Sequence, residues 1–113
     1  KQWYFGKSLD GFTPIGPCIV TADAFADYPL RLGIRSFVNG EKRQDSNTAL
    51  QIFDIDHVIA ELSQGMTLKA GTIIATGTPA GVGMGMDPPQ FLKPGDVVRC
   101  EIDGIGTLTN PVK

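Results

Sequence analysis

Ala75-Thr76-Gly77-Thr78-Pro79-Ala80-Gly81-Val82-Gly83 joins the end of a β-branched run, Thr72 to Thr76, to a turn paced by glycines. The run is short and β-branched, which predicts a strand. Gly77, Gly81 and Gly83 carry no Cβ, so the backbone here is free to come close to another segment or to a ligand. Thr78 offers a hydroxyl at the strand's end, whose plainest use is to satisfy its own backbone and whose other use is to hold a ligand oxygen.

The flanks of this stretch alternate turns with apolar runs. Lys69-Ala70-Gly71 and Lys93-Pro94-Gly95-Asp96 are turns ahead of strands at Thr72 to Thr76 and Val97 to Ile102, and Asp103-Gly104 returns the chain into Ile105 to Thr109. Leu30 to Val38 places Leu30, Leu32 and Ile34 against Arg31, Gly33 and Arg35, the period of a half-buried strand. Asn39-Gly40 follows, and because both residues tolerate positive φ it predicts a tight hairpin with a return strand from Glu41 to Gln44. Cys18 to Thr21 is a further short strand after a Gly-Pro turn.

One helix is expected, near 55–64. Asp54 caps it, Ile55, Val58, Ile59 and Leu62 recur on one face directed at the core, and Gly65 stands where a left-handed residue would stop it. The fold class is therefore mainly β with minor α.

At 113 residues the chain is one small domain, residues 1–113. Ten basic against twelve acidic side chains, with no basic cluster, argue against a nucleic-acid partner. No apolar run is long enough to cross a bilayer, which points to a cytoplasmic protein without a membrane partner. The aromatic cluster Trp3-Tyr4-Phe5 is more natural inside a larger fold than on a free tail, so the chain reads as a piece of one. Cys18 and Cys100 form no Cys-x-x-Cys motif and read as reduced core thiols.

Familiar site motifs fail on inspection. Gly6-Lys7-Ser8 lacks the glycine five positions earlier that a phosphate loop needs, and Leu9-Asp10-Gly11-Phe12-Thr13-Pro14 cannot open the helix that should follow. Gly81-Val82-Gly83-Met84-Gly85 runs into Asp87-Pro88-Pro89 where a dinucleotide fingerprint would open a helix. The serines lack a nucleophile-elbow setting, and His57 lies on the polar side of the expected helix as a surface residue.

Taken together, Gly6-Lys7-Ser8-Leu9-Asp10-Gly11-Phe12-Thr13-Pro14-Ile15-Gly16-Pro17 and the Thr76-Gly77-Thr78-Pro79 turn resemble the fumarylacetoacetate hydrolase family. Val38-Asn39-Gly40-Glu41, Arg43-Gln44-Asp45-Ser46, Ile52-Phe53-Asp54, Leu62-Ser63-Gln64-Gly65-Met66-Thr67 and Leu92-Lys93-Pro94-Gly95-Asp96 follow that family in the same order. The resemblance implies a mixed, twisted β-roll, of which residues 1–113 are the C-terminal portion of a single catalytic domain. Within that family it is similar to bacterial acylpyruvases and 2-hydroxyhepta-2,4-diene-1,7-dioate isomerases of aromatic-compound breakdown.

By that resemblance Lys7 is the catalytic lysine, steadying negative charge on a substrate oxygen, while Thr78 and Gly77 bind the substrate. The family's divalent cation, Mg²⁺ or Mn²⁺ and in some members Ca²⁺, is held by a Glu-x-Glu pair and a later aspartate. None of these matches a residue of this chain, where Glu41, Glu61 and Glu101 are scattered, so no metal ligand is expected within it and the ligands are placed upstream of Lys1.

The activity implied is metal-dependent hydrolysis of a C–C bond in a small acylpyruvate or 1,3-diketo acid through an enolate, by a homodimer. A hydroxymuconate-type isomerase or an oxaloacetate-type decarboxylase would use the same enolate. The missing carboxylates leave open a non-catalytic ligand-binding or assembly subunit.

Overall fold

The computed structural model describes residues 2–113. Its centre is a four-stranded sheet of β1 (Gly33–Val38), β2 (Glu41–Asn47), β3 (Val97–Ile102) and β4 (Gly106–Pro111), in the order β2-β1-β3-β4. Every neighbouring pair is antiparallel. The architecture is mainly β with one main helix, as the hydrophobic pattern predicts.

The hairpin between β1 and β2 turns at Asn39 and Gly40, whose φ values of 52° and 84° are those a two-residue loop of this hand requires. Asn39 also ties the turn to β3. Its Nδ2 donates to Asp96 Oδ1 and its Oδ1 accepts from the Val97 amide, both at 2.9 Å. Beyond the turn the register shifts: Val38 faces Glu41 and Phe37 faces Lys42, but Ser36 faces Gln44, leaving Arg43 as the extra residue of a β-bulge.

The sheet's two faces differ in chemistry. Arg35, Phe37, Arg99 and Glu101 share one, where the Arg99 guanidinium lies 4.1 Å from the Phe37 ring centroid and Glu101 pairs with Arg35 and Arg99. Ile34, Ser36, Val38, Val98 and Cys100 share the other, with Leu108 opposite Cys100 and Gln44 opposite Ser36. Among the described residues none is fully buried.

Beyond the short helix α1 (Trp3–Lys7), the helix α2 runs from Ile55 to Ser63, and Asp54 caps it by accepting from the His57 amide at 2.7 Å. Ile55, Val58 and Leu62 are half-buried, but Ile59 stays 42% exposed, so the inward stripe is narrower than its sequence periodicity predicts. The helix stops without a left-handed residue: Gln64 keeps helical dihedrals, and Gly65 is not among the glycines with positive φ. His57 is exposed and stacks on Phe53, with centroids 4.8 Å apart.

Other sequence expectations change as well. Thr72 to Thr76 and Cys18 to Thr21 are in no strand, because sheet structure needs a ladder partner and neither run has one among the described residues. Trp3–Lys7 forms a single-turn helix that the sequence reading lacks, and Trp3, Tyr4 and Phe5 stand exposed on it. Cys18 and Cys100 are free thiols, as expected, but neither is a core residue. Partial shielding on β3 pushes the Cys100 thiol up.

Candidate functional site

The bulge decides what happens at Thr78. With Arg43 displaced from the regular ladder, Gln44 lies opposite Ser36, and the Thr78–Gly81 turn lies against this part of β2. Gln44 Nε2 donates to Thr78 Oγ1 at 2.8 Å and to the Pro79 carbonyl at 2.9 Å, while its Oε1 accepts from Ser36 Oγ at 2.8 Å. Gly81, at φ 105°, backs onto the Arg43 carbonyl so closely that a Cβ would overlap its oxygen. Only glycine meets both conditions.

Arg43 holds the next segment. Its Nη1 donates to Gln90 Oε1 at 2.7 Å and lies 3.0 Å from Met86 Sδ, and its Nη2 pairs with Glu41 at 3.3 Å. Gly83 approaches the Gln90 carbonyl so closely that no side chain fits there, and the Gln90 amide donates to the Gly83 carbonyl at 2.8 Å. The glycine spacing of this stretch therefore serves contact with β2 and with Gln90. Gly77, at φ 108°, has no atom within 4 Å of where its Cβ would stand, so its side of the turn is open.

Lys7 ends the first helical turn and is exposed. Its carbonyl accepts from Thr13 Oγ1, and no carboxylate of the described residues pairs with its ammonium. Hydrogen bonds within residues 2–13 are local, and none joins that segment to the turn carrying Gly77 and Thr78. The structure thus brings Thr78 together with Gln44 and Ser36, and does not join it to Lys7.

A shallow concavity of about 90 Å³ between Tyr28–Arg31 and Thr48–Ile55 includes none of Lys7, Gly77 or Thr78. Tyr28 beside it donates to Asp56, and that bond holds its phenol above the usual range. Among the described residues no group of three His, Cys, Asp or Glu side chains converges on a point. These residues by themselves do not fit a divalent cation, which needs several converging oxygens.

Over residues 1–113 the sequence matches the family described as fumarylacetoacetate (FAA) hydrolase C-terminal. The chain belongs to the fumarylacetoacetate hydrolase family. An oxaloacetate tautomerase of Xenopus laevis, described as mitochondrial, is 52% identical over 112 residues, which are 99% of this chain and 35% of that protein. Solved structures agree in fold: a fumarylacetoacetate hydrolase from psychrophilic Exiguobacterium antarcticum superposes with a TM-score of 0.91 at 54% identity, over 99% of this chain and 40% of that one. Maleylpyruvate hydrolase from Sphingobium sp. SYK-6, in complex with manganese(II) and pyruvate, superposes with a TM-score of 0.82 at 44% identity, over 96% of this chain and 38% of that one.

The chain is thus a member of an enzyme family whose named relatives are hydrolases and tautomerases. It spans about a third of the length of the curated relative, 35%. No helix among the described residues is long and apolar enough to cross a membrane.

The Gln44 bond to Thr78, the Ser36 bond to Gln44 and the seat that the Arg43 carbonyl gives Gly81 are contacts that the residue pattern does not reveal. A regular ladder from the Asn39-Gly40 turn would set Ser36 opposite Arg43, and the bulge replaces that pair with Ser36 and Gln44. The only signal in the sequence is the run of polar residues Arg43-Gln44-Asp45-Ser46 inside a strand.

Proposed function

We propose that residues 1–113 act as the C-terminal portion of a single catalytic domain that works on a small keto diacid through its enolate, tautomerising an oxaloacetate-like substrate. The observation that carries this reading is the 52% identity with an oxaloacetate tautomerase across 99% of the chain. In the reaction a proton leaves the carbon between the two carbonyl groups, the electron pair moves onto the keto oxygen, and protonation of that oxygen gives the enol. The negative charge on oxygen is the feature a fixed cation stabilises, and Lys7 has that role in this reading. Thr78 holds a substrate oxygen, and the open side of Gly77 admits the substrate.

Hydrolysis of a C–C bond in an acylpyruvate is the second reading, supported by the fumarylacetoacetate hydrolase and maleylpyruvate hydrolase relatives. Water then adds to the acyl carbonyl, the C–C bond breaks with its pair leaving as an enolate, and that enolate takes up a proton. Isomerase and decarboxylase outcomes share the enolate. A divalent cation, Mg²⁺ or Mn²⁺, belongs to this reading only as a group held by carboxylates outside the described residues, in keeping with the manganese of the maleylpyruvate hydrolase complex. A homodimer is part of the same proposal.

The test is to give the whole protein oxaloacetate, an acylpyruvate and a hydroxymuconate in turn, following enol absorbance and separating products by chromatography. Fast enol–keto exchange of oxaloacetate without carbon loss supports the first reading. Acid plus pyruvate from the acylpyruvate moves the assignment to hydrolysis. Binding of keto acids with no turnover of any of them overturns both and leaves a ligand-binding subunit.

A further inference from the structure

We propose that Gln44 is a positioning residue that fixes the polarity of the Thr78 hydroxyl, so that Thr78 donates its hydrogen to an anionic ligand oxygen. The inference rests on the reading of Thr78 as a substrate-binding residue.

The argument begins at the Pro79 carbonyl, which accepts hydrogen bonds and cannot donate. The Gln44 amide atom 2.9 Å from it must therefore be the nitrogen, which settles which way the amide points. That nitrogen carries two hydrogens. One goes to Pro79, and the other faces Thr78 Oγ1 at 2.8 Å. Thr78 is then the acceptor in that bond, and its own hydrogen is turned elsewhere.

On the other side of the amide, Gln44 Oε1 can only accept, so Ser36 Oγ at 2.8 Å donates to it. The hydrogen bonds run in one direction, from Ser36 through Gln44 to Thr78. Among the described residues no group accepts from Thr78, which stands exposed at the turn. The next acceptor in the series is supplied by a ligand. A carboxylate or enolate oxygen suits that place best, because a donated bond to a charged acceptor is the stronger kind.

Each member of the relay comes from a different part of the fold. Ser36 lies on β1, Gln44 follows the bulge on β2, and Thr78 is carried by the glycine-paced turn seated on Arg43. The bulge therefore has a role beyond bending the strand: it sets the residue that can donate twice opposite a hydroxyl that donates to its amide oxygen.

Pyruvate binding to the whole protein in the presence of Mn²⁺, followed by calorimetry, tests the relay. Thr78→Val should weaken pyruvate at least tenfold; an unchanged affinity overturns the assignment of Thr78 itself. Gln44→Met keeps the side chain's length and removes both donors. With Thr78 present it should weaken pyruvate about fivefold or more, and in the Thr78→Val background by less than about twofold. Gln44→Glu keeps the shape but offers an acceptor, drawing the Thr78 hydrogen away from the ligand, and should weaken pyruvate at least tenfold even where the methionine variant folds poorly. Thr78→Ser should restore sensitivity to Gln44. If Thr78→Val weakens binding while both Gln44 variants leave it unchanged, or if Gln44→Met costs the same in both backgrounds, the relay is wrong while the reading of Thr78 stands.

Discussion

Replacing Gly81 with alanine tests the docking of the Thr78 turn on β2, because two separate costs meet at that residue. The first is conformational. At φ 105° an L side chain is strained, which costs about 1–3 kcal/mol. The second is steric: the new Cβ would overlap the Arg43 carbonyl oxygen, so the turn must retreat and stretch the bonds from Gln44 to Thr78 and Pro79. Two hydrogen bonds at about 0.5–1.5 kcal/mol each add about 1–3 kcal/mol, for a sum of about 2–6 kcal/mol. Gly40→Ala provides the control, since Gly40 has φ 84° and open space where its Cβ would stand, and so incurs only the conformational cost. Urea unfolding of the whole protein gives the stability difference, and pyruvate affinity reports the turn. Gly81→Ala should cost more stability than Gly40→Ala and should alone weaken pyruvate. Equal stability losses with intact pyruvate binding would refute the close approach of Gly81 to Arg43 as the reason for glycine there.

Lys7→Ala in the whole protein should lower turnover about a hundredfold, with little rescue by Lys7→Arg, as measured by enol–keto exchange of oxaloacetate. Unchanged turnover would remove Lys7 from the site. The Asn39 side-chain bond and the Lys93 amide hold the Asp96 carboxyl below its usual range, so its contribution to stability is present above the unfolded carboxylate pKa and fades as pH falls through the lower folded value. Asn39→Ala should flatten that acid limb in a series of thermal melts across acidic pH. Residues 1–113 alone should show no micromolar uptake of Mg²⁺ or Mn²⁺ by calorimetry, because no three ligating side chains converge among the described residues. Tight binding there would mean that acidic residues of this segment converge on a cation after all, and would refute the expectation.

Local chemistry made much of the fold legible. Asn39-Gly40 specifies its turn because only residues at ease with positive φ close a two-residue hairpin, and the turn forms there. Asp54 specifies the start of α2 because its carboxylate satisfies an amide that the helix leaves free. The alternation through β1 and the β-branched run of β3 likewise need only near neighbours to be read. The motifs around Lys7 and Thr78 placed the chain in its family without any geometry.

Partners distant in sequence were another matter. Thr72 to Thr76 has the composition of a strand, yet a strand is a relation between two segments, and no described segment pairs with it. Ile59 matches the helical period but lies at the edge of the inward face, which only the position of the helix determines. The turn at Asn39-Gly40 fixes the register for its nearest pairs, Val38 with Glu41 and Phe37 with Lys42. What breaks that register is the bulge at Arg43, where the guanidinium reaches Met86 and Gln90 and the carbonyl meets Gly81, all more than thirty residues along the chain. The sequence by itself therefore determined the hairpin, the helix and the family, because these rest on local dihedral preference and residue order. Only the tertiary structure set Gln44 beneath Thr78, because a one-residue shift in a strand is decided by contacts that form after the chain has folded back on itself.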